Sequence, residues 1–179
     1  PEFVKRNTEF AFKIFKQLNQ EYKDNNIFIS PISISTALAM TYQGAESTTK
    51  EAMAETLEYY DMDIDILNEN FKGLLQGLDK LDKSIELNMA NSIWLREGEP
   101  VNENFLSINK KFFKALIEEL DFSKDNAADI INEWISHATN KKITEMIEPP
   151  ISADTLMYLI NAIYFKGEWA KKFDEKNTY

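Results

Sequence analysis

Asn26-Ile-Phe-Ile-Ser-Pro-Ile-Ser-Ile-Ser-Thr-Ala-Leu-Ala-Met40, followed shortly by Gly44, is the stretch whose reading decides how this chain folds. Ile27, Phe28 and Ile29 form a short apolar run of strand type. At Ser30-Pro31 the pattern turns helical, with Ile34, Ala37, Leu38 and Tyr42 at helical spacing. Ser30 has N-cap chemistry, since its hydroxyl oxygen can accept the backbone N–H of Ser33. Pro31 suits the first helical position, where no amide partner is needed. Gly44 is expected to close the helix in the left-handed conformation. A strand running straight into a capped, apolar helix is a core element, yet Ser30, Ser33 and Ser35 lie in its first turns. Buried hydroxyls need partners, so a polar knot is expected where this helix begins.

The other half of that knot lies far along the chain. Leu156-Met-Tyr-Leu-Ile-Asn-Ala-Ile-Tyr-Phe165 is almost continuously apolar, as a strand covered on both faces would be. Asn161 is its one strongly polar side chain, and leaving a buried amide unpaired costs about 1–3 kcal/mol. Asn161 is therefore expected to have hydrogen-bond partners. Lys166-Gly-Glu-Trp-Ala-Lys-Lys-Phe-Asp174 follows directly. The two segments, Asn26–Gly44 and Leu156–Asp174, resemble the serpin family in its strand 6B–helix B segment and in its strand 3A with the following turn.

The intervening chain fits that resemblance. Phe3–Leu18 reads like helix A. Thr48 with Glu51 has the capping-box spacing, opening a helix to about Leu57 that is similar to helix C. Leu67, Phe71, Leu74, Leu75 and Leu78 share a helical face, as in helix D. Ile85, Leu87, Met89, Ile93 and Leu95 alternate along a strand like 2A. Asn102 can cap a helix bearing Phe105, Phe112 and Phe113, like helix E. Leu116, Leu120 and Phe122 suggest a strand like 1A. Ala127, Ile131, Trp134, Ile135 and Ala138 make an amphipathic helix like helix F, and Pro149-Pro150 stops the chain before the buried strand. The expected fold is α+β: N-terminal helices with mainly antiparallel sheet A strands, incomplete in this chain. Residues 1–179 read as the N-terminal portion of a single serpin domain.

The 179 residues are 44% hydrophobic, enough for a substantial core. No run of roughly eighteen apolar residues occurs, and Pro1-Glu-Phe-Val-Lys-Arg6 does not read as a secretory signal. Zero cysteines remove disulfides, thiol catalysis and cysteine metal sites. The formal charge of −10 argues against nucleic acids and anionic membranes, whose affinity rests on Lys and Arg neutralising phosphates. It also argues against heparin. In the helix D-like region, Lys72, Lys80 and Lys83 are outnumbered by Asp61, Asp63, Asp65, Glu69, Asp79 and Asp82.

Enzyme chemistry finds little to work with. Asp61, Asp63 and Asp65 open like a calcium loop, but Ile66 and Lys72 stand where Gly and Glu are needed. Ser47–Lys50 and Ser107–Lys110 match Ser-x-x-Lys without its companion motifs. His137, the one histidine, has neither a nucleophile elbow nor a cysteine to work with. Glu118 and Glu119 are adjacent on a strand and so point to opposite faces. No catalytic residue, metal or cofactor is expected.

The resemblance implies more. In serpins the residues matching Phe28, Ser30, Ser33 and Asn161 form the shutter, a polar cluster beneath the middle of sheet A. Trp169 matches the breach, where the reactive loop first enters the sheet. That loop is cleaved as bait and then inserts as a new strand, carrying the acyl-linked protease with it; serpin loop insertion is a standard example of strand addition and conformational switching. The reactive centre lies in serpin regions that follow Tyr179. An inhibitor of a serine protease, or of a cysteine protease, is thus implied, with the complementary C-terminal half as partner and an extracellular setting. A non-inhibitory serpin serving as carrier, chaperone or storage protein is the alternative, and an unrelated α/β binding protein the third reading. Residues 1–179 alone are expected not to form a stable monomer, because the Leu156–Phe165 strand would show an apolar edge. One departure is visible: the family motif Thr-Asn-Gly-Lys-Ile reads Thr139-Asn-Lys-Lys-Ile143 here, which puts the local turn geometry in question.

Overall fold

A computed structural model describes residues 2–80, 84–169 and 176. Its helices are α1 (Glu2–Glu21), α2 (Pro31–Tyr42), α3 (Ser47–Thr56), α4 (Ile64–Leu78), α5 (Glu103–Phe113) and α6 (Ala127–Ala138). Its strands are β1 (Ile85–Arg96), β2 (Leu116–Leu120) and β3 (Met157–Gly167). They form one sheet in the order β2-β1-β3, with β1 parallel to β2 and antiparallel to β3.

The sheet divides two apolar layers because side chains alternate along each strand. Ile93 and Leu95 of β1, with Leu159 of β3, face a core built by α1, α2, α4 and α5, including Phe3, Met40, Leu67, Phe71 and Phe113. Phe71 lies at its centre, packed edge-on by Phe3 at 5.0 Å and tilted against Phe113 at 5.2 Å. On the other face Trp94, Tyr158 and Ile160 meet α6 through Ile131 and Ile135. Trp134 of α6 packs edge-on against Trp94 with ring centroids 6.3 Å apart. The molecule is therefore helices, sheet and a lone crossing helix in three layers.

Local chemistry sets several boundaries as expected. The Ser30 hydroxyl accepts from Ser33 N, with Pro31 in the first turn. Ser35 and Thr36, both buried, donate to the Ile32 carbonyl at 3.1 and 2.7 Å, which answers how an apolar helix carries hydroxyls. Asn102 caps α5, and Asp63 caps α4 by accepting from Asp65 N and Ile66 N.

Four expectations need correction. Ile27–Ile29 forms no strand; among the described residues no strand lies beside it to complete a ladder. Gly44 does not adopt a left-handed conformation, since Gly98 is the one described glycine with positive φ. Gly44 instead makes room for a ring: a Cβ there would lie 3.1 Å from Phe105 Cδ2. Thr48 is no cap, because α3 starts one residue earlier, at Ser47, with Glu46 before it and no side-chain cap. β3 is covered only in part: Ala162 and Tyr164 are buried, Tyr158–Asn161 are half-buried, and Met157 and Phe165 are exposed. Among the described residues it is an edge strand whose ends run past the helices that cover its middle.

Asp82 and Lys83 of the helix D-like region lie outside the described residues, as do Ala170–Asp174 of the segment after β3.

Candidate functional site

The polar knot exists, and it is a chain of neutral hydrogen bonds through four elements. The Ser33 hydroxyl, in the first turn of α2, donates to Asn161 Oδ1 on β3. Asn161 Nδ2 donates to Asn91 Oδ1 on β1 at 2.7 Å. Asn91 Nδ2 donates to the Phe113 carbonyl at the end of α5, again at 2.7 Å. Ser30 closes the near end by accepting from Ser33 N at 3.4 Å. The arrangement follows from register, because Asn91 and Asn161 are cross-strand partners in the β1–β3 ladder. Both point to the α2–α5 side, where the N-terminus of α2 and the C-terminus of α5 leave backbone groups free to join.

Asn91 escaped the sequence reading, although a signal was present. It shares the parity of Ile85, Leu87, Met89, Ile93 and Leu95, so it is the one polar residue on the apolar stripe of its strand, just as Asn161 is the polar break in β3. The same logic that singled out Asn161 selects it.

The other two residues expected at functional positions stand apart from this chain of bonds. Phe28 is fully exposed, at 101% of its reference surface. It forms one wall of an open groove of about 970 Å³ beside the β3 edge, with Ile29, Pro31, Leu87, Ile163 and Phe165. Trp169 lies beyond the end of β3 and is exposed.

A site built from two amides, two hydroxyls and a carbonyl has no group that titrates near neutrality and no base to activate a nucleophile. What it can do is mechanical. It joins the edge strand, its neighbour and two helices, and the two bonds that Asn161 makes, to Asn91 and to Ser33, are the ones at stake if β3 slides or parts from β1. Among the described residues no group of three or more His, Asp or Glu side chains is placed to hold a metal ion.

The family motif that departs in sequence is resolved structurally. Asn140 and Lys141 have φ of 49° and 60°, both left-handed, and Lys141 N donates to the Ser136 carbonyl at 2.7 Å. The position where the family usually has Gly keeps a glycine-type conformation while carrying a lysine.

Compared with known protein families, residues 5–179 match Serpin (serine protease inhibitor). The chain belongs to the serpin family. The leukocyte elastase inhibitor of Xenopus laevis is 40% identical over 175 residues, which cover 96% of this chain and 46% of that protein. Among solved structures, emu (Dromaius novaehollandiae) ovalbumin superposes with a TM-score of 0.88 at 29% identity, covering 99% of this chain and 50% of that one. Human thyroxine-binding globulin superposes at 0.81 with 30% identity, covering 98% and 48%. The chain thus spans about half the length of the serpins it matches. The α+β fold is the serpin fold in part, with β2, β1 and β3 standing as strands 1A, 2A and 3A and α6 as helix F. Serpins that resemble this chain include a protease inhibitor by name and a thyroxine-binding protein by name.

Proposed function

We propose that this chain is the N-terminal portion of a single serpin domain that acts as a suicide-substrate inhibitor of serine proteases. In this reading a reactive loop carried by the C-terminal half is cleaved and inserts into sheet A beside β3, trapping the acyl-enzyme. The chain contributes no catalytic residue; its part is the switch. Ser30, Ser33 and Asn161, now with Asn91, serve as the shutter fastening, Phe28 lines the cleft below it, and Trp169 marks the breach.

The observation that carries the reading is the Ser33–Asn161–Asn91–Phe113 chain of hydrogen bonds. It lies at the one sheet edge, among the described residues, where β3 has no neighbour. A fastening of neutral groups holds firmly when paired and loses both bonds of Asn161 together when β3 moves, which suits a sheet that must open once. Likeness to a leukocyte elastase inhibitor supports an elastase-like serine protease as target class. A cysteine protease is the narrower alternative.

The test is active-site titration. Full-length protein added to a serine protease should remove its activity stoichiometrically and irreversibly, whereas an ordinary substrate would be consumed with activity retained.

A second reading, a non-inhibitory carrier, is favoured by the likeness to a globulin named for binding thyroxine. Ligand binding without protease inactivation would establish it.

A further inference from the structure

We propose that Asn68 of α4 and Asn109 of α5 bind one buried water molecule beside the C-terminal end of α2, and that this water joins the three helices. Both side chains lie in the core, Asn68 at 2% and Asn109 at 0% of their reference surface. Each uses its amide N–H groups and leaves its oxygen over. Asn109 Nδ2 donates to the Phe105 carbonyl at 3.0 Å and reaches the Met40 carbonyl at 3.5 Å. Asn68 Nδ2 donates to Gln43 Oε1 at 3.2 Å. The two oxygens, Asn68 Oδ1 and Asn109 Oδ1, are buried with no hydrogen-bond partner among the described residues.

Turning the amides over does not remove the problem. For Asn109 it would set the oxygen against the Phe105 and Met40 carbonyls, acceptor against acceptor. Gln43 is oriented by its own bond, since its Nε2 donates to the Ala39 carbonyl at 3.2 Å. Its oxygen is therefore the atom presented to Asn68, which must answer with Nδ2.

The two orphaned oxygens belong to one part of the core. Phe71 and Phe113 pack with ring centroids 5.2 Å apart, and Asn68 and Asn109 each stand about one helical turn before those rings on α4 and α5. Both are also bonded to the last turn of α2. Asn109 meets the Met40 carbonyl, and Asn68 meets Gln43, whose N–H donates to that same carbonyl at 3.3 Å. The end of a helix offers carbonyls, which are acceptors again. Two buried acceptors need two donors, and one water supplies both, one O–H to each oxygen. Buried waters commonly serve two to four such groups. Bulk water also has a route inward: an open groove of about 560 Å³ is lined by Gln43 and Phe105, the residues to which Asn68 and Asn109 are bonded. With this water in place α2 is held by polar groups at both ends, to β3 through Ser33 and to α4 and α5 through its last turn.

The inference does not depend on the inhibitor reading. It is tested by a crystal structure of the full-length protein at a resolution that shows ordered water, beside that of Asn109→Leu. One water is expected within about 2.7–3.2 Å of both Oδ1 atoms, and its loss is expected in Asn109→Leu. In solution, oxygen-17 relaxation dispersion should count one long-lived water fewer in the variant. Oxygens that accept from protein groups instead, a dry contact between them, a water bonded to one of them alone, or equal water counts would overturn the proposal. Should the leucine variant fail to fold, the structure of the unchanged protein decides by the same criteria.

Discussion

Asn91 and Asn161 lie directly opposite each other on β1 and β3, and the Asn161 amide donates to the Asn91 oxygen at 2.7 Å. A cross-strand amide pair ties two strands more specifically than an apolar pair, because a slip of β3 by one residue turns Asn161 to the other face of the sheet, away from Asn91. Each amide is also bonded beyond the pair, Asn161 to Ser33 and Asn91 to the Phe113 carbonyl. The pair therefore links the packing of α2 and α5 to the spacing of the strands.

Replacing Asn161 with alanine leaves the Asn91 oxygen and the Ser33 hydroxyl without their partner. The expected loss is about 1–3 kcal/mol of stability in the full-length protein, read as a lower denaturation midpoint at unchanged slope. Asn91→Ala should cost a similar amount. The double variant should lose less than the sum, since the two residues share one bond. With the serpin reading, Asn161→Ala also shifts the protein toward inactive or oligomeric forms on size exclusion. Unchanged melting with full inhibitory activity would count against the fastening role.

The strained turn after α6 gives a prediction of opposite sign. Lys141 holds φ at 60°, a conformation that costs an L-residue with a Cβ about 1–2 kcal/mol. Lys141→Gly should therefore stabilise the protein, by about 1 kcal/mol once the greater freedom of the unfolded glycine is subtracted. Asn140→Gly should gain less or lose, because asparagine tolerates the conformation and its side chain reaches Tyr164. Equilibrium denaturation of the two variants distinguishes these outcomes.

Tyr59 is buried between Tyr42 and Phe71. Desolvation pushes its phenol above the ordinary value of 10.0, with Tyr42 adding to the shift. A group whose folded pKa is raised contributes stability that is fully present below the unfolded value and is lost as pH rises through the folded one. Stability should thus fall as pH climbs above about 10. In a spectrophotometric titration of the full-length protein, one phenol fewer should resist ionisation before unfolding in Tyr59→Phe than in the unchanged protein. Equal native-state titrations of the two proteins would refute the burial argument.

A polypeptide limited to residues 1–179 should not behave as a monodisperse monomer. Phe12, Phe28, Leu156 and Phe165 are exposed together with the unpaired edge of β3, and such edges recruit other chains. Light scattering that shows a single 20.8 kDa species with a cooperative melt would contradict this.

Much of the fold was legible because its signals are local. Ser30-Pro31 and Asn102 mark helix starts by their own side chains, and Leu67, Phe71 and Leu75 declare a helical face by spacing alone. Gly44 was misread because its requirement is nonlocal: the space it leaves is filled by Phe105, which local spacing does not bring near. Ile27–Ile29 has strand composition, but a strand is defined by a neighbour, and composition does not supply one. At the site, Asn161 was legible as a polar residue in an apolar run and Ser33 as a hydroxyl in an apolar helix. That the two meet across 128 residues of sequence is a tertiary fact, reachable beforehand only through the family resemblance.

The central claim, a protease trap whose sheet is fastened through Asn161, is tested most directly on a denaturing gel. Full-length protein would be mixed with elastase-, trypsin-, chymotrypsin- and subtilisin-like proteases and boiled in SDS. The account predicts a new band near the summed mass of inhibitor and protease with at least one of them, which is the trapped acyl-enzyme. Clean cleavage of the protein by every protease, with no such band, would contradict it.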